Sequence, residues 1–233
     1  MINFDGVSLE SVAPVKIEDI RVYPVDLAPV THERPIRAGS EFVRMQKRTR
    51  TVAITFALLN ENKIVRQGDL LNVSQWAKTD KEYKLELPNY PDLYLMAVCT
   101  GKPEPSLRQW WESKLRLVFT CIDDPCWISK AEKSVACGTA FTVLGDAPPL
   151  MRIERTVSGS AASNQSYSFG GKTMTFSTIP VGDMVIDLNR QTAKVGTSSI
   201  MQYFSTTGHF IEPVTGNMTI TGTGTVKYRE RWY

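Results

Sequence analysis

The sequence predicts a mainly β protein in two parts. Three observations carry this reading: strict apolar/polar alternation in the first half, short strand-like runs between glycine turns in the second half, and a single segment with helical spacing. Thr51–Leu58 alternates, with Val52, Ile54, Phe56 and Leu58 on one face and Thr51, Ala53 and Thr55 on the other. Asp69–Lys78 spaces its apolar residues by threes and fours, and Asp69 is read as its N-cap. Leu93–Val98 is a buried strand ending at the turn Thr100-Gly101. Arg108–Ile122 is a further strand with Leu115, Leu117, Phe119 and Cys121 inward, and Trp110-Trp111 at its start read as core or interface filler. In the second part the candidate strands are Ala140–Leu144, Met151–Val157, Thr173–Ser177, Asp183–Asn189 and Asn217–Trp232, a pattern that argues a β-sandwich. The last of these is read as one strand, with Met218, Ile220, Val226, Tyr228 and Trp232 on one face. Gly222 and Gly224 interrupt that face where another backbone comes close. Ser158–Gly171, rich in Ser, Gly and Asn, is read as a mobile hairpin loop.

The domain boundary follows from composition. Residues 1–133 hold 37 of the 51 Lys, Arg, Asp and Glu residues, whereas Ser, Thr and Gly fill 36 of the 100 positions of 134–233. That shift divides the chain into 1–133 and 134–233, with Lys130–Ser134 as the connector.

Several function classes are disfavoured. The net charge of +3 is too small to imply nucleic acid. No apolar run approaches the roughly 20 residues of a membrane helix. The start Met1-Ile2-Asn3-Phe4-Asp5 has no secretory pattern, so the chain is expected to begin in a reducing cytosol. Cys99, Cys121, Cys126 and Cys137 form no C-x-x-C pair, so neither a metal site nor a disulfide is assigned; Cys99 and Cys121 are read as small core hydrophobes. His32 and His209 have no partner pattern, and there is no nucleophile elbow, phosphate loop or zinc helix, so no catalytic or cofactor-binding residue is assigned and the chain is read as not an enzyme. Asp123-Asp124-Pro125 terminates a strand rather than forming an acid–base pair.

One segment stands out. Arg34–Arg50 holds Arg34, Arg37, Arg44, Lys47, Arg48 and Arg50 against the single acid Glu41. Two readings stand: a solvated loop face, or an arm that meets an acidic partner surface. The second makes these six residues subunit-interface candidates, with Asp80, Glu82 and Glu86 as possible acids on the facing copy.

These stretches, taken in order, resemble a known family. Pro35-Ile36-Arg37-Ala38-Gly39-Ser40, the strand Arg50–Leu59, the helix around Leu70–Trp76, the strand Leu93–Val98 and the closing Phe119–Pro125 look like the tail-component domain of siphophage distal tail (Dit-type) proteins. Cys126 before Trp127 departs from that family's usual aromatic after the proline. Gly182–Asp187 and Val226–Tyr233 are similar to the last strands of its galectin-like domain. The resemblance implies an N-terminal split β-barrel or sandwich with one helix, followed by a galectin-like β-sandwich. It further implies a virion structural protein at the tail tip, assembled in the host cytoplasm into a homo-hexameric ring. The ring would join the tail tube protein to the tail-tip proteins, with possible receptor-binding proteins as further partners and neither nucleic acid nor membrane. The alternative from another class is a carbohydrate-binding accessory module, for which the second part supplies one histidine, His209, and one tryptophan, Trp232.

Overall fold

The computed structural model describes residues 1–33, 40–101, 104–105 and 114–233. The chain divides into two compact units, Met1–Trp127 with Tyr233, and Ile128–Trp232. The compositional change at Ser134 falls just downstream of that division.

The first unit contains β1 (Asn3–Phe4), β2 (Val7–Ser8), a four-residue helix α1 (Leu9–Val12), β3 (Val15–Val22), β4 (Leu27–Glu33), β5 (Ser40–Lys47), β6 (Arg50–Leu58), α2 (Lys63–Trp76), β7 (Tyr83–Glu86), β8 (Leu93–Cys99), β9 (Glu104–Pro105) and β10 (Lys114–Cys121). Antiparallel pairing runs β2-β1-β7-β8-β10-β6-β3, with β9 also on β10. The register of β10 on β6 sets Leu117 opposite Ile54 and Phe119 opposite Val52, so both alternations point inward together. All four of these residues are buried, each side chain contributing about 1.5–3 kcal/mol of burial.

The helix differs from the expectation at its start. It begins at Lys63, where Asn62 is the cap and its side-chain oxygen accepts from the Ile64 N–H at 2.9 Å. Asp69 sits in mid-helix, buried, and accepts from the Asn60 side-chain amide. A buried acceptor with a donor in reach needs no cap role, and the capping signal lay seven residues upstream in Asn62. The helix is pinned by its last residue: Trp76 donates to the Val7 carbonyl at 3.0 Å, and its ring meets Phe4 edge-on at 5.7 Å. Phe4 in turn meets Phe119 edge-on at 5.0 Å, tying helix, N-terminal strand and sheet into one aromatic cluster.

Cys121 closes β10 inside this core, and burial pushes its thiol up to about 12. Cys126 is buried too, and its N–H donates to the Asp124 carboxylate at 3.1 Å, which turns the chain after β10. All four cysteines are free thiols. Iodoacetamide at about pH 8 is therefore expected to label the half-buried Cys99 and Cys137 well before Cys121, whose reaction waits for unfolding. Peptide masses after timed quenching check this; equal native labelling of Cys121 and Cys99 would contradict it.

After β11 (Trp127–Ser129), the second unit contains β12 (Lys133–Ala136), β13 (Phe141–Val143), β14 (Ala147–Val157), β15 (Ala162–Phe169), β16 (Lys172–Ile179), β17 (Gly182–Asp187), β18 (Thr192–Val195), β19 (Ser198–Ser199), a single 3-10 turn (Met201–Tyr203), β20 (Gly216–Met218) and β21 (Thr225–Trp232). One sheet runs β19-β18-β17-β14-β21-β12, while β15 pairs β16 and β13 pairs β20. Ile153, Ile186 and Val226 from the sheet pack with Tyr167, Met174 and Phe176 from the hairpin, so the core lies between two β layers.

Two expectations are corrected here. Ser158–Gly171 is mostly strand β15, not loop. Its serines make cross-strand hydroxyl contacts, Ser166 to Thr175 at 3.0 Å, while Tyr167 turns inward and donates to the Thr223 carbonyl at 3.0 Å. A strand whose outward residues are all small and polar lacks the β-branched residues that identify strands by composition. Asn217–Trp232 is two strands rather than one, broken where Gly222 (φ +134°) and Gly224 (φ +129°) take backbone angles that L side chains rarely adopt. The glycines do mark a close approach: a Cβ on Gly224 would stand 2.5 Å from the Glu154 carbonyl oxygen, and one on Gly222 would strike the Tyr167 ring.

Candidate assembly surfaces

The described residues of the segment singled out for its charge supply the second strand and the base of a β-hairpin, whose first strand, β4, precedes the segment. β4 and β5 pair with each other in a sheet of their own, with a bulge between Val30 and Thr31. Its base is closed by backbone bonds: Asp26 N–H to the Thr49 carbonyl at 2.8 Å and Arg48 N–H to the Asp26 carbonyl at 2.9 Å. The Thr49 hydroxyl adds a bond to the Asp26 carboxylate at 3.1 Å.

The six candidate residues do not share one environment. Arg34 and Arg37 lie outside the described residues, as do Trp110 and Trp111. Arg44 stands in β5 opposite Val30. Lys47 and Arg48 are exposed at the hairpin base, and the Lys47 ammonium lies 2.9 Å from the ring centroid of Tyr233. Arg50 departs from the expectation of a surface charge. It is buried on β6, with its guanidinium carbon 5.6 Å from the centroid of the Trp127 ring. It alternates with the exposed side of the strand and so turns into the unit, where an aromatic face replaces water.

The acids considered as counterparts are already engaged within the chain. Glu82 accepts from the backbone N–H groups of Ile122 (2.6 Å) and Asp123 (3.1 Å), Glu86 pairs with Lys84 at 2.6 Å, and Asp80 accepts from the Tyr83 hydroxyl at 2.9 Å. Glu82 thereby fixes the chain as it leaves β10.

A second surface was not anticipated from sequence. The outer face of α2 presents Ile64, Val65, Gln67, Gly68, Leu71 and Gln75, all exposed and none charged. The helix's charged residues lie at Lys63, Arg66 and Asp69; Asp69 is buried, and Arg66 donates back to the Asn60 carbonyl at 2.7 Å. The signal was present in the sequence as Ile64 and Leu71 at seven-residue spacing, but a helix started at Asp69 leaves Ile64 out of it.

In the second unit the charges of the C-terminal strand are used internally. Arg152 grips Glu132 with two bonds (2.8 and 2.9 Å) and reaches Glu154 at 2.6 Å. Lys227 completes the ladder at 2.7 Å, and its hydrogen bond, with that of Arg152, holds the Glu154 carboxyl below its usual range. Glu230 is buried and accepts from Lys133 (2.7 Å) and the Leu144 N–H (3.0 Å), while Arg231 donates to the Pro148 carbonyl at 3.0 Å. A polar cleft of about 570 Å³ beside this ladder is lined by Ser134, Glu154, Arg155, Thr156, Thr223, Gly224, Thr225 and Lys227, and offers hydrogen bonds without an aromatic ring. His209 is exposed and Trp232 half-buried, and neither lines that cleft.

No family model matches the sequence, and no curated protein matches it. Solved structures do. The crystal structure of the Dit protein of phage SPP1, described as a paradigm of the hub adsorption apparatus of phages infecting Gram-positive bacteria, aligns over 100% of this chain and 98% of its own, with a TM-score of 0.78 at 13% identity. The chain has a Dit-like fold. Chains of the phage P2 baseplate in its activated conformation are more distant. The structure with Ca aligns over 96% of this chain and 92% of its own (TM-score 0.52, 7% identity), and that with Sr over 95% and 91% (TM-score 0.51, 7% identity). The Dit-like fold accounts for the mainly β, two-part architecture expected from the sequence.

Proposed function

We propose that this chain is a structural protein of a siphophage tail that works by assembly, forming a homo-hexameric ring hub between the tail tube and the tail-tip proteins. The observation that carries this reading is the end-to-end likeness to SPP1 Dit, which spans both units rather than one shared module. In this reading residues 1–133 build the ring and 134–233 project from it, available to receptor-binding proteins. Assembly takes place in the host cytoplasm, and no cofactor or catalytic step is involved.

The hairpin of β4 and β5 supports the same reading. A two-stranded sheet in water is marginally stable by itself. Its second strand and base carry Arg44, Lys47 and Arg48 in sequence against Glu41, and a second surface that covers the hairpin and supplies counter-charge would stabilise it. A ring uses heterologous contacts, so an arm on one copy can meet a different face of the next. Light scattering of the purified protein tests the proposal: the expected mass is six times that of the 26.1 kDa chain, and a single-chain mass at every concentration would overturn it.

A further inference from the structure

We propose that the uncharged outer face of α2 is the seat for the β4–β5 hairpin of a second copy of this chain. The inference rests on the ring reading and deepens it by naming both halves of one contact. On the helix, Ile64 is 79% and Leu71 64% exposed, one above the other on a face that carries amides but no charge. An exposed helix face ordinarily carries charged residues, and their depletion around an apolar centre is the composition of an interface core. On the hairpin, Leu27 is 56% and Val43 48% exposed, beside the exposed Lys47 and Arg48.

The two surfaces match in chemistry. The helix face offers Ile64, Val65 and Leu71 and the hairpin offers Leu27 and Val43, so each has exposed apolar side chains to bury. The amide carbonyls of Gln67 and Gln75 accept hydrogen bonds of the kind that arginine and lysine donate, and the exposed Glu61 at the helix start, beside the exposed Lys63, offers one acid at the rim. Within one chain Ile64 and Leu71 stay exposed, so the chain's own hairpin does not cover them. Because helix face and hairpin are different patches of the same unit, joining them between copies is a head-to-tail contact, which propagates from copy to copy and closes into a ring where the rotation between copies divides a full turn.

The test uses two full-length variants. Ile64→Glu with Leu71→Glu spoils the seat; Leu27→Glu with Val43→Glu spoils the arm. All four positions are exposed, and circular dichroism with thermal melts verifies that each variant folds. Each variant alone is expected to weaken assembly by about tenfold or more. Mixed together, they are expected to give a one-to-one heterodimer and nothing larger, since each mixed pair retains a single intact seat–arm contact. If a glutamate pair lowers the melting temperature, glutamine at the same two positions replaces it and the same heterodimer is sought. A seat variant that forms rings like the wild type overturns this inference and leaves the ring reading in place. Two variants that stay monomeric yet yield no heterodimer also overturn it. A wild-type protein that never assembles removes the ring reading itself.

Discussion

Alanine in place of Gly222 is expected to destabilise the second unit by about 2–4 kcal/mol, because two costs coincide there. The backbone sits at φ +134°, and the added Cβ would strike the Tyr167 ring with the Ser166 carbonyl oxygen also close at 3.1 Å. Tyr167 cannot retreat easily: it is fully buried, and its hydroxyl is held by the Thr223 carbonyl at 3.0 Å. Gly170→Ala is the control. Its φ of +59° carries the conformational cost alone, since no atom stands within 4 Å of the position a Cβ would take, so the expected loss is about 1 kcal/mol. Urea unfolding of the three proteins checks the difference. Equal losses at the two sites would mean that the contact with Tyr167 does not constrain the break between β20 and β21.

Reversing Arg44, Lys47 and Arg48 together to glutamate is expected to abolish or greatly slow assembly while each subunit stays folded. Individual rim pairs contribute only about 0.2–1 kcal/mol, so the effect comes from replacing three attractions with three repulsions. Lys47 also lies over the Tyr233 ring, so Lys47→Glu alone separates that intrachain contact from the collective charge effect. Raised salt is expected to weaken the wild-type assembly in the same direction, since the screening length at physiological ionic strength is about 8 Å. A triple variant that assembles at the wild-type rate with unchanged salt dependence would identify the hairpin as a solvated surface feature.

The sequence was most legible where burial is one-sided. Val52, Ile54 and Phe56, and Leu115, Leu117 and Phe119, alternate because one face of each strand meets the core; β6 lies within one residue of its expected bounds, and β10 ends one residue before its expected end, while its expected start at Arg108 lies outside the described residues. The close approach at Gly222 and Gly224 was legible because a side chain is rarely tolerated at such positions, although the stretch they divide into β20 and β21 was read as one strand. Less legible were features decided by distant partners. β15 hides as a polar loop because its outward serines and its one inward tyrosine acquire meaning only beside β16. Arg50 reads as one more charge in a basic run, and only its place on β6, facing Trp127, draws it inside. The start of α2 was missed because Asp69 mimics a cap while satisfying a buried amide. That shift concealed the apolar face, so the basic segment was found from sequence, as a loop or arm rather than a hairpin, and its proposed seat was not.

Electron microscopy of the purified full-length protein tests the central claim most directly. The account predicts closed rings of six subunits with an open centre, formed at low salt and dispersed by the triple charge reversal. A field of single-chain particles at all protein and salt concentrations would contradict it.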